Sequence, residues 1–199
     1  MILPIIAYGD PVLRKVGTEI TNEYPELHDL ITNMFETMHT ALGVGIAAPQ
    51  VGKSIRLFII ETKPFTEKGE NDDEDDQFSA EEHNLLSNFK KVFINAKILE
   101  EEGKEWVFNE GCLSIPKIRE DVIRKPKIRI QYLDQNFNFF DETYEGIIAR
   151  VIQHEYDHIE GKLFTDKISP LRRRLLQGKL TDISKGKIKT GYKMRFPNK

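Results

Sequence analysis

His154-Glu155-x-x-His158, inside "QHEYDHIEG" (Gln153–Gly161), constrains this chain more than any other feature. Two histidines four apart lie on one helical face, close enough for both imidazoles to bind a single cation. Ile147 and Val151 precede them on the same stripe, so the histidines continue an apolar face and point inward. An unpaired imidazole in that position costs stability, and a bound metal removes the cost. A fold that accepts this helix must pack its other elements around it. Glu155, between the histidines, can then act as a base on water held by the cation. The competing reading is a polar helix whose histidines are satisfied by hydrogen bonds, and the motif alone leaves both open.

A third ligand decides much of the question. Beyond Gly161 the chain is mostly basic; its acids are Asp166 and Asp182, with no glutamate to serve as a downstream ligand. Upstream, "NEGCLSIP" (Asn109–Pro116) holds the single cysteine, Cys112. A lone cysteine excludes an internal disulfide framework and suits a reducing cytosol. Such a residue is more often inert packing than chemistry. One thiolate with two imidazoles leaves a fourth tetrahedral position for water, as a catalytic site requires. A further segment, "GVGIAAPQ" (Gly43–Gln50), follows a helix and precedes a strand, the reverse of a dinucleotide-binding turn. It reads either as a helix stop with a tight bend, or as a place where glycine admits a substrate backbone and the Gln50 amide meets a developing oxyanion.

The rest of the chain predicts an α+β fold, with antiparallel β-sheets packed around a central metal-binding helix and a C-terminal helix. After Pro25, Leu27, Leu30, Ile31, Met34, Phe35, Met38, Ala41 and Leu42 share one helical face that Gly43 ends. Strands are expected over 55–61, 91–99 and 127–134, the last turning at "DQN" into "FNFFDE" as a hairpin. The motif helix is expected over about 142–159, and a last helix from Ser169-Pro170. With 199 residues, 39% of them hydrophobic, residues 1–199 suit a single domain. The net charge of −3 conceals an asymmetry: residues 166–199 carry +9 and residues 1–165 carry −12. Residues 63–88 hold nine acids against two bases, and we read them as an acidic loop insert between two strands. No apolar run approaches the ~20 residues of a membrane span, and the start lacks a signal peptide's pattern. A cytoplasmic location is therefore expected, with no membrane and no DNA partner.

Three segments in this order resemble the peptide deformylase family, whose motifs are G-x-G-x-A-A-x-Q, E-G-C-x-S and H-E-x-D-H. They are matched by Gly43–Gln50, Glu110–Ser114 and His154–His158, including Asp157. The resemblance implies a metal-dependent hydrolase that removes the N-formyl group from the initiator methionine of nascent peptides. It implies Cys112, His154 and His158 as ligands of one divalent ion, usually Fe2+, with Ni2+, Co2+ or Zn2+ able to substitute. Glu155 would be the base, with the Gln50 amide and the Leu113 backbone N–H as oxyanion donors. The substrate would run along Gly45 and Gly111, with Val44, Phe108, Ile147 and Val151 around the methionine side chain, though each could equally be plain core. Glu110 would pair with Arg124 to hold the cysteine loop, against the alternative of a solvated glutamate. The basic C-terminal helix and tail, 169–199, would dock on the ribosome, or be simply solvated.

Overall fold

The computed structural model describes residues 1–67 and 78–197. In chain order the elements are β1 (Ile5–Ile6), α1 (Leu27–Thr40), β2 (Gly45–Ala47), β3 (Leu57–Glu61), α2 (Ala80–Asn88) and β4 (Lys90–Glu102). They continue with β5 (Trp106–Cys112), β6 (Ile115–Arg124), β7 (Lys127–Leu133), β8 (Phe139–Glu145), α3 (Gly146–Ile159), α4 (Pro170–Ser184) and β9 (Met194–Arg195). The fold is α+β, as expected. β2-β3-β4-β7-β8 form one antiparallel sheet, β5 and β6 a separate antiparallel hairpin, and β1 pairs in parallel with β9.

α3 sits between these layers. Ile148, Ala149, Val151, Ile152 and Ile159 are buried, packing with Phe58, Ile60, Phe93, Ile128 and Ile130 of the large sheet. α1 covers the opposite face of that sheet through Ile31, Met34 and Met38 against Ile46, Leu57, Ile59 and Ile94. The alternation along β3 explains the division: Phe58 and Ile60 face α3, whereas Leu57 and Ile59 face α1. A third cluster joins β6 to α4, with Ile115, Ile118 and Val122 against Leu176, Leu180 and Ile183. α4 starts as its sequence suggests, the Ser169 hydroxyl accepting from the Arg172 N–H at 3.3 Å ahead of Pro170.

Several expectations are corrected. Residues 63–88 are not loop throughout. Ser79 and Glu82 form a reciprocal capping box, Ala80–Asn88 is helix, and Leu86 is buried in the main core. The acidic block Asp72–Asp76 lies outside the described residues. The motif helix starts at Gly146, because residues 142–145 remain in β8, paired with β7. The basic tail is not merely solvated: β9 pairs with β1 through the Ile5 N–H to Lys193 carbonyl and the Ala7 N–H to Arg195 carbonyl, each 2.9 Å. Ile188, Met194 and Phe196 pack on the third cluster.

Candidate metal centre

α3 and the β5–β6 hairpin meet where the motifs converge. One ligand atom from each of Cys112, His154 and His158 lies within 4.8 Å of the other two. Cys112 Sγ is 3.3 Å from His158 Nε2. Cys112 ends β5, so the hairpin carries the sulfur to the helix, while the four-residue spacing on α3 sets the two rings edge to face with centroids 5.3 Å apart.

The supports behind these groups are buried ion pairs. Glu110, two residues before Cys112, receives two hydrogen bonds from Arg124, at 2.7 and 2.9 Å, and one from Arg150 at 3.0 Å. Its other contact is His154 Nδ1 at 2.9 Å. A proton on Nδ1 directed at Glu110 leaves Nε2 free to face the site. Arg124 also donates to Asp157 at 2.7 Å, tying the helix to the hairpin a second time. Glu110, Asp157, Arg124 and Arg150 are all buried. Two carboxylates therefore meet two guanidinium groups, and removing Glu110 would leave the buried Arg150 guanidinium without its carboxylate, at about 3–5 kcal/mol. The solvated alternative for Glu110 is excluded.

The electrostatics suit a cation. Burial works against charge on His154, yet Cys112 and Glu110 outweigh it and raise that ring well above its ordinary value. Burial, with His154 nearby, instead pushes His158 well below its own, leaving it neutral. Two imidazoles and one thiolate form a donor set for a first-row divalent ion, so the residues fit a metal. Burial is the largest influence on the Glu155 carboxyl and, with Glu110 and Asp157 adding to it against His154 and Arg124, pushes it up to about 7. Among the described residues its Oε2 has no hydrogen-bond partner. A carboxylate of that pKa can take and return protons near neutrality. A Cβ at Gly45 would lie 2.5 Å from Glu155 Oε1, so this close approach requires glycine.

A cavity of about 600 Å³ opens beside these groups. It is lined by Val44, Gly45, Gln50, Phe108, Gly111, Cys112, Leu113, Val151, His154 and Glu155. Gln50 is buried, its Oε1 accepting from the Ala47 N–H at 2.8 Å and its Nε2 reaching Ser114 Oγ at 3.3 Å and Cys112 Sγ at 3.5 Å. Two named residues stand off the cavity: His158, which is buried, and Ile147, which packs against the main core instead. Conversely, Phe65, Ile118, Arg119 and the segment 189–192 line it without a sequence signal, and so does Leu42, expected on the apolar face of α1 but exposed just beyond its end. Arg150 also went unnoticed, although a charge on the inward stripe one turn before His154 is a usable signal.

The polypeptide deformylase family model matches residues 2–174. The peptide deformylase of Flavobacterium johnsoniae is 60% identical over 196 residues, covering 98% of this chain and 96% of that protein. The peptide deformylase of Christiangramia forsetii is 57% identical over 198 residues, covering 100% and 97%. Among solved structures, the peptide deformylase of Legionella pneumophila superposes with a TM-score of 0.75 at 35% identity, over 94% of this chain and 98% of that one. The Thermotoga maritima enzyme gives a TM-score of 0.71 at 36% identity, over 85% and 99%.

Proposed function

The chain belongs to the peptide deformylase family, and on that premise we propose that it removes the N-formyl group from the initiator methionine of newly made proteins at the Cys112–His154–His158 centre. One observation carries the assignment: the three ligand atoms converge beside a buried, elevated-pKa Glu155 at the base of a groove. We assign Cys112, His154 and His158 as the ligands of one divalent ion, Fe2+ in the resting enzyme, with Ni2+, Co2+ or Zn2+ as substitutes. A cation held there supplies Lewis acidity, which makes water a competent nucleophile near neutral pH.

Glu155 takes the proton as water oxygen bonds to the formyl carbon. The oxyanion that forms accepts hydrogen bonds from the Gln50 side-chain amide and the Leu113 backbone N–H. Glu155 then returns its proton to the amine nitrogen as the C–N bond breaks, releasing formate and a free N-terminus. The peptide runs extended between Gly45 and Gly111, as an added strand would. Val44, Phe108 and Val151 enclose the methionine side chain; Ile147 supports Val151 from the core side. Residues 1–199 act as one domain. We place the enzyme in the cytoplasm, where newly made proteins emerge; among the described residues no helix is long and apolar enough to cross a membrane. The basic 169–199 region, with Arg172, Arg173 and Arg174 in one turn, supports docking on ribosomal RNA; that affinity should fall steeply with salt.

The test sets metal content beside turnover of a formyl-Met peptide and its acetyl-Met counterpart. Turnover that requires the metal and strongly prefers formyl is expected. Equal rates on the two would replace this reading with a general amidohydrolase.

A further inference from the structure

The hairpin turn Cys112–Leu113–Ser114 carries both the ligand sulfur and the Leu113 N–H, and it is held from three directions. The Tyr8 N–H donates to the Ser114 carbonyl at 2.9 Å, and Gln50 Nε2 donates to Ser114 Oγ at 3.3 Å. The third hold comes from far along the chain. The Tyr192 hydroxyl donates to the Leu113 carbonyl at 2.8 Å. Tyr192 belongs to the 189–192 segment that walls the cavity, beyond residues 2–174 matched by the family model. The segment is itself anchored: Thr190 Oγ1 donates to the Tyr192 carbonyl at 2.7 Å, and β9 follows at once, paired with β1.

We propose that Tyr192 is a positioning residue of this enzyme: by holding the Leu113 carbonyl it fixes the peptide planes on which the Leu113 N–H and the Cys112 sulfur are aimed. The inference rests on the deformylase reading of the site. The carbonyl of Leu113 and its N–H are separated by only two backbone rotations, so a turn loosened at one is misaimed at the other. An oxyanion donor acts only when preorganised, and small misplacements are expensive. Tyr192 therefore serves the transition state more than ground-state binding, which predicts an effect on kcat rather than KM.

Tyr192→Phe removes one hydroxyl and keeps the ring. With a formyl-Met tripeptide, kcat should fall roughly threefold to tenfold while KM stays within about twofold. Metal content should stay unchanged. Amide hydrogen exchange of the metal-free protein, read by NMR across Cys112–Ile115, should accelerate several-fold, with α3 unaffected. Unchanged exchange at the turn overturns the proposal whatever the kinetics. Unchanged kcat in an enzyme that cleaves formyl peptides overturns it too, including when only the melting temperature drops, since a purely structural tyrosine would behave so. If the unmodified protein fails to cleave formyl peptides, the deformylase reading falls, and exchange at the turn alone judges Tyr192.

Discussion

Gly45→Ala tests how closely the base is seated. Gly45 lies in an extended strand paired with Ile60, a backbone that alanine adopts readily, so the substitution adds only one methyl group. That methyl carbon would sit 2.5 Å from Glu155 Oε1 and 2.8 Å from both Cδ and Cγ, where ordinary contact is 3.4–4 Å. Three atoms are affected, so rotating the carboxylate tip does not relieve the clash. Glu155 is buried and cannot swing into solvent, and β2 is held by its sheet. The side chain must therefore move by about 1 Å, a displacement that costs about 10²-fold in rate. Overpacking of this kind also costs about 1–3 kcal/mol of stability. The assay is kcat and KM on a formyl-Met peptide, with metal content and thermal unfolding of the same sample. A fall in kcat of about 10² with metal retained and KM nearly constant is expected. A kcat within about threefold of the parent would refute the reasoning; a rise in KM alone would mean that the methyl meets the substrate rather than the base.

Glu155→Gln should give a folded, metal-loaded protein with turnover lowered by at least about 10², whereas Cys112→Ala should lose the metal; elemental analysis of both variants separates base from ligand. Leu86→Ala should cost about 2–4 kcal/mol in chemical denaturation, since α2 packs into the main core, and a change below about 0.5 kcal/mol would restore the loop reading of 63–88. Leu42 sits at φ 56°, the position after α1 where glycine is favoured, and is 90% exposed. Leu42→Gly should therefore raise stability, by up to about 1 kcal/mol in thermal melts.

β3, β4, β7 and the body of α1 were legible because their apolar periods are nearly uninterrupted, and the Cys112, His154 and His158 cluster because few other uses place those residue types in those motifs. The β5–β6 hairpin was not. Its buried face along β6 reads Ile118, Glu120, Val122, Arg124, so two charges sit where alternation demands apolar residues. Those charges are paired internally, Glu120 with Arg172 and Arg124 with Glu110, a compensation that only the folded chain reveals. The start of α3 was misjudged for a local reason. Glu145 makes no side-chain cap bond there, so no capping signature marks the boundary. The role of residues 189–192 was hidden by distance: Tyr192 and Leu113 share no local pattern, and Thr190-Gly191 reads as an ordinary turn.

The parallel pairing of β1 with β9 also orders events in time. Of the described strands, β1 is the first to leave the ribosome and β9 the last. Ile5 and Ile6, fully buried in the finished molecule, wait through the synthesis of every other element before their partner strand exists. Contacts so far apart in the chain form late and slowly. A nascent molecule can thus have all three motifs outside the tunnel while one wall of its groove is still inside it. An appendage fused directly behind β9 would burden that closing step, and through it a catalytic centre whose residues it never touches.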